Sequence, residues 1–379
     1  MIYWVMSDKM KIIWGIVAAI ILIGGVWYFG GGKTATTEEP IKIGVLLPLS
    51  GSAAYYGEMS KKGIEIAKDE LTNKYPKLNL EVFYEDSLYT AQGGVIAYNK
   101  LLSVNRVDAV ITGASQVSLA VLPLATKDNI LQMAIFSTAA KYTTPDDLSF
   151  RVSARSEIEA KEIAKLIKNK NFHKLGIIYL NNDFGISFKD ALKNAFEKNE
   201  ATIQIIGEEG YMLDTADFRT IITKLKQTDA IFMVGTAKQY NLIIKQAREL
   251  GFSGQFLSMY SAENSELLAG IGNTADGLLY TYHFNKNATD EARNFNDVFM
   301  RKYGDIPNAY AAEGYEGMKL TVSALKDCHN DKQCIMSYFK TLKDYKSVFG
   351  DMSFDQNGDV FYKFFIKTIK NGQFVPYEE

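Results

Sequence analysis

The chain has 379 residues, room for roughly two or three domains of about 150 residues each. Hydrophobic residues make up 47% and charged residues 23%, the balance of a folded protein with substantial cores and not of a disordered one. A net charge of −2 and a pI near 6.1 exclude a basic nucleic-acid-binding field, and three dispersed histidines (His173, His283, His329) exclude a histidine-built metal centre.

An uncharged run from Ile12 to Phe29 is the first element, long enough to cross a bilayer. Lys9 and Lys11 precede it and Lys33, Glu38 and Glu39 follow, which by the positive-inside rule leaves residues 1–11 in the cytoplasm and the rest outside. The run ends in bulky Val-Trp-Tyr-Phe without a small-residue cleavage site. An uncleaved transmembrane anchor is therefore expected, with a cleaved signal as the alternative. Residues 30–40 form a short polar linker ending in Pro40.

Apolar runs and helical patterns then alternate. Strands are expected at 41–47, 80–84, 107–112 and 131–136, and again at 174–180, 202–207, 229–234 and 255–259. Most are continuously apolar, as strands covered on both faces of a parallel sheet are. Between them Ile64, Ala67 and Leu71 share one helical face, as do Phe218, Ile221, Ile222 and Leu225. The pattern runs twice, so two similar doubly wound α/β lobes are expected. Three further helical patterns fill about 290–342, and the last stretch reads as a turn and a hairpin. Segments returning to complete an earlier lobe would account for such a tail.

Three strand ends carry loops of small hydroxyl residues. The loop 48–57 offers Ser50, Ser52, Tyr55 and Tyr56; the loop after residue 112 offers Ser115, expected as an N-cap; the loop after residue 136 offers Ser137, Thr138 and Ala139. The first has two glycines, no lysine and two aromatic rings, which suits an organic ligand and not a phosphate. Gly270–Ala275 fits a dinucleotide pattern but follows a helical stretch in place of a strand, and Asp355–Asp359 lacks the glycine and the terminal acid of a calcium loop. No cofactor is expected. Motifs of serine, cysteine and zinc hydrolases are missing, which points to binding without chemistry. Cys328 and Cys334 close a short loop between helices, as a disulfide if the protein is exported or as two free thiols.

From "IKIGVLLPLSGSAAYYGE" through "GASQVSLAVLPLA", "KLGIIYLNNDFGISF" and "ADGLLYT" to "FGDMSFDQNGD", residues 41 to about 372 resemble the type I periplasmic solute-binding proteins, in their leucine/isoleucine/valine-binding branch. The resemblance implies two Rossmann-like lobes joined by a three-strand hinge, with residues 41–152 and 284–348 in lobe 1 and 153–283 and 349–379 in lobe 2. It implies an extracytoplasmic receptor that closes on a small molecule and delivers it to an ABC transporter permease; a ligand-sensing module of a membrane signalling system is the alternative. Carried over by position, Tyr56 is a ligand-contacting tyrosine, Ser115 binds a carboxylate, and the carbonyl of Thr138 meets an ammonium. Ala140 stands where the family has a threonine, leaving Ser137 as the substitute hydroxyl. Phe184 and Tyr310 supply aromatic walls, and Thr236 is a lobe 2 contact. The acid that pairs with the ligand's ammonium falls at Tyr260, with Glu263 or Asp183 as alternative sources of charge. An amino acid, a related carboxylate or an amide is the expected ligand.

Overall fold

The computed structural model describes residue 10 and residues 39–198 and 203–378. The expected membrane span 12–29, nearly all of the cytoplasmic segment 1–11 and most of the linker 30–40 lie outside these. Among the described residues no helix is long and apolar enough to cross a membrane.

The first sheet is built from β1 (Ile41–Leu47), β2 (Leu80–Asp86), β3 (Ala109–Gly113), β4 (Leu131–Ile135) and β5 (Ser149–Arg151), in the order β2-β1-β3-β4-β5 with every pairing parallel. β3 and β4 are buried at every position, which is why they read as unbroken apolar runs. The connecting helices are α1 (Ala54–Lys74), α2 (Ala91–Lys100) and α3 (Ser115–Asp128). Ile64, Ala67 and Leu71 all face the core from α1.

The second sheet takes β6 (Lys174–Leu180), β7 (Gln204–Tyr211), β8 (Ala230–Val234), β9 (Gln255–Ser258) and β10 (Leu279–Tyr282), parallel throughout, and adds a hairpin of β13 (Phe365–Lys370) and β14 (Gln373–Pro376) antiparallel to β10. Around it lie α4 (Ser156–Asn169), α5 (Asp183–Lys198), α6 (Arg219–Leu225), α7 (Ala237–Glu249) and α8 (Ser265–Ile271). Phe218, Ile222 and Leu225 are fully buried, while Ile221 is only partly so.

Three helices then follow: α9 (Asp290–Tyr303), α10 (Ala309–Cys328) and α11 (Lys332–Thr341). α10 returns to the first lobe. A Cβ on Gly63 would sit 1.9 Å from the Ala311 carbonyl oxygen, so glycine is what lets α1 and α10 touch backbone to backbone. Cys328 and Cys334 are disulfide-bonded across the α10–α11 turn, with Cα atoms 5.4 Å apart. A small two-stranded ladder, β11 (Tyr345–Ser347) with β12 (Gly350–Met352), precedes the last crossing.

The chain passes between the two sheets three times: after β5, after β10 and before β13. Where the passages meet, Ala154 bridges Val360 in parallel and Phe354 bridges it antiparallel. The same region is braced by buried charge. Arg151 Nε donates to Asp359 Oδ1 at 2.5 Å, with both side chains essentially sealed from solvent. Glu313 of α10 accepts from Ser153 Oγ at 2.7 Å and faces His283 Nε2 at 3.1 Å. The His283 ring stacks on Phe349 and Tyr362, at 5.4 Å from each.

Candidate functional site

The loops at the carboxyl ends of the parallel strands of both lobes face one another, where ligands of open α/β sheets bind. Between them lies a cavity walled by aromatic rings. Tyr56, Tyr89, Phe136 and Tyr310 contribute from the first lobe, and Phe184 and Tyr260 from the second; Ser115, Gly235 and Ser261 complete the lining. The rings pack on one another: Tyr56 to Tyr310 at 4.7 Å, Tyr260 to Tyr310 at 5.2 Å and Phe136 to Tyr310 at 5.5 Å between centroids. They leave a volume of about 20 Å³, about what a single water needs. Burial pushes the phenols of Tyr56, Tyr260 and Tyr310 well above their ordinary range, so they stay neutral donors.

The lobes touch through Tyr56. Its hydroxyl accepts from the Ala237 amide at 3.0 Å, the first residue of α7, and donates to the Ser261 carbonyl at 3.4 Å. It thereby occupies the electropositive end of a helix in the opposite lobe.

Ser115 corrects an expectation. It is the first helical residue of α3 and does not cap it; the cap position is Ala114. The hydroxyl turns instead to the neighbouring loop and accepts from the amides of Thr138 at 3.1 Å and Ala139 at 3.2 Å. The Ser115 hydroxyl is the polar group of the cavity's first-lobe wall, and the two N–H groups stand behind it, bonded to its oxygen. Arg151 holds that loop from behind, donating from Nη1 to the carbonyls of Ser137 and Ala139 at 3.1 and 2.7 Å. The buried Oγ of Ser137 and Oγ1 of Thr138 have no hydrogen-bond partner.

The other expected residues lie apart. Ala140 lines a neighbouring 230 Å³ pocket with Lys141, Glu157 and Asp183, and its amide donates to Ser187 Oγ at 3.2 Å. Thr236 is buried and bonded to Gln239; its neighbour Gly235 lines the cavity, and the amide of Ala237 meets Tyr56. Glu263 pairs with Lys367 and accepts from the Tyr280 hydroxyl at 2.7 Å, in a groove of about 600 Å³ on the other flank. Neither proposed source of charge lines the central cavity, which has no charged residue in its lining. Among the described residues no cluster of histidine, cysteine or acids could hold a metal.

Tyr89, Phe136, Gly235 and Ser261 were not expected at the site. Tyr89 and Phe136, like Ala114 just before Ser115, adopt positive φ (58°, 36° and 80°) beyond the carboxyl ends of β2, β4 and β3 of the first sheet. Such conformations are costly for residues with a side chain and gather where a binding site fixes them. Gly113 makes room for the Phe136 ring, since a Cβ there would fall 2.3 Å from its tip.

Residues 40–373 match the family described as periplasmic binding protein. The chain belongs to that family. A Leu/Ile/Val-binding protein homolog from Brucella abortus is 27% identical over 336 residues, covering 86% of this chain and 88% of the relative. In fold, this periplasmic binding protein is similar to the branched-chain amino acid binding protein LivJ of Streptococcus pneumoniae, solved with isoleucine (TM-score 0.81, 23% identity, 89% of this chain and 98% of that one). It is equally similar to a solute-binding protein of an ABC transporter from R. palustris, solved with benzoate (TM-score 0.81, 17% identity, 89% and 95%). The molecule is a binding protein and not an enzyme, with the two-lobed α/β fold of its family.

Proposed function

We propose that this protein is the extracytoplasmic receptor of an ABC importer, taking up a small polar molecule between its lobes and handing it unchanged to a permease. The observation that carries the reading is the cavity itself: two lobes linked along the chain by three passages present facing walls of rings, with the Ser115 hydroxyl in the lining and the Thr138 and Ala139 amides bonded behind it. Residues 41–152 with 284–348 form one jaw, and 153–283 with 349–379 the other. The passages act as the hinge, and the segment 12–29 tethers the receptor to the outer face of the membrane.

A space of about 20 Å³ admits no ligand of even a few heavy atoms, so binding requires the jaws to part and Tyr56 to leave Ala237. On reclosure the ligand replaces ring–ring contact with ring–ligand contact. A carboxylate or amide end meets Ser115 Oγ and the amides of Thr138 and Ala139, while Tyr56, Phe184, Tyr260 and Tyr310 enclose the body. Ligands of this class are those named for relatives that bind isoleucine and benzoate.

A thermal-shift screen of amino acids, small carboxylates and amides tests the reading. A true ligand at a hundredfold excess over its Kd adds about 2.7 kcal/mol of stability. Failure of every class to shift the transition would reject it.

A further inference from the structure

The central cavity has an electrostatic character that its lining alone does not state. Its walls are six aromatic rings and its lining holds no charged side chain. Behind two of those rings stand buried carboxylates. Glu159 Oε1 accepts from the Tyr260 amide at 3.2 Å and from the Thr281 hydroxyl at 2.5 Å. Glu313 Oε2 accepts from the Phe136 amide at 2.5 Å. Glu313 faces His283, but Glu159, only 1% exposed, has no cationic partner among the described residues.

Aromatic faces carry negative potential, and a cation within about 6 Å of a ring centroid is drawn to them. An ordinary ammonium would need acceptors for each N–H, and leaving them unmet in a buried site is costly. A quaternary ammonium has no N–H to satisfy and presents methyl groups to the rings. Burial, with the nearby Glu313, pushes Glu159 up to about 8 against its bonds from Thr281 and Tyr260, so it stands neutral behind Tyr260 and the ring faces are what attract a cation.

We propose that the preferred ligand is a betaine, an amino acid whose nitrogen is fully methylated, held with its quaternary nitrogen among Tyr56, Tyr260, Tyr310 and Phe136 and its carboxylate at Ser115 and the Thr138 and Ala139 amides. The inference rests on the receptor function proposed above and names its ligand class.

Calorimetry with five probes tests it: trimethylglycine, its uncharged-carbon isostere tert-butylacetate, glycine, isoleucine and benzoate. Trimethylglycine should bind at least about tenfold more tightly than tert-butylacetate, since the two share shape and carboxylate and differ in the ring-facing charge. Equal or tighter binding of tert-butylacetate overturns the proposal, as does tighter binding of glycine. Binding of isoleucine or benzoate with none of trimethylglycine overturns it while leaving the receptor function standing; silence from all five overturns the betaine assignment, and the receptor function falls only if the wider thermal-shift screen is silent as well. Tyr260→Leu should weaken trimethylglycine by about tenfold and leave tert-butylacetate within about twofold, while Tyr260→Phe, which keeps the ring face, stays near wild type. Tyr310→Leu repeats the test on a second wall, and a loss shared equally by both probes would mean that the rings only shape the cavity.

Discussion

The hydroxyl of Tyr56, on a helix of the first lobe, accepts a 3.0 Å hydrogen bond from the amide of Ala237, which opens a helix of the second. One side chain thus meets the first amide of a helix across the cleft and bonds the two lobes to each other. Tyr56→Phe removes that bond and leaves the Ala237 amide open, which should weaken the closed form by about 1–2 kcal/mol. Small-angle scattering of the ligand-free variant should show a larger radius of gyration than the wild type. Indistinguishable scattering would mean that Tyr56 does not latch the lobes.

Ser115 carries the polar end of the proposed site. Ser115→Ala removes the oxygen shared by the Thr138 and Ala139 amides. Carboxylate ligands should bind about 1–3 kcal/mol more weakly, because a hydrogen bond to a charged group is lost. Unchanged affinity by calorimetry contradicts the assigned role.

Asp359 holds Arg151 where the passages meet, and Arg151 in turn holds the 137–139 loop. Asp359→Ala strands a guanidinium that is sealed from solvent. The expected loss is about 3–5 kcal/mol, the cost of breaking a buried pair from one side. Urea denaturation reads it directly, and a loss below about 1 kcal/mol would show that the pair relaxes to water.

Glu159 gives the fold a pH dependence. Its folded-state value is raised by desolvation to about 8 from an ordinary 4.5, so the native state holds a proton that the unfolded chain releases. This contribution to stability is complete below about pH 4.5 and is lost as pH rises through about 8. Glu159→Gln keeps an acceptor for the Tyr260 amide and removes the titration. Between pH 5 and 8.5 the variant should therefore gain stability relative to the wild type. Parallel stability curves over that range would show that Glu159 is ionised in the fold.

The Cys328–Cys334 bond closes a short loop at the α10–α11 turn, away from the ring cavity. Replacing both cysteines by serine should cost about 2 kcal/mol by loop-closure entropy. Melting should move down while ligand affinity stays the same.

The sequence made the scaffold readable where one signal dominated. Continuous apolar runs located β1 and β6 to the residue, and the three helical patterns expected over about 290–342 correspond to α9, α10 and α11. β5 (Ser149–Arg151) escaped because three residues cannot display a period. At the site, Tyr56, Ser115, Phe184, Tyr260 and Tyr310 all reach the cavity. Tyr89 and Phe136 were hidden because their placement depends on left-handed backbone that no residue type announces. Ser115 looked like a cap because serine before an apolar run usually is one; only the neighbouring loop, 23 residues on, shows where its hydroxyl goes. The Arg151–Asp359 pair, separated by 208 residues, leaves no local trace at all.

Amide hydrogen exchange, followed as trimethylglycine or the best compound of the stability screen is added, tests the central claim most directly. A molecule enclosed between two hinged jaws must slow exchange on both walls together, in the first lobe at Phe136–Ala140 and in the second at Gly235–Ala237 and Tyr260–Ala262. Protection on both walls, with the compound recovered chemically unaltered, is the predicted result. Protection confined to one lobe, or a compound recovered transformed, would contradict the account.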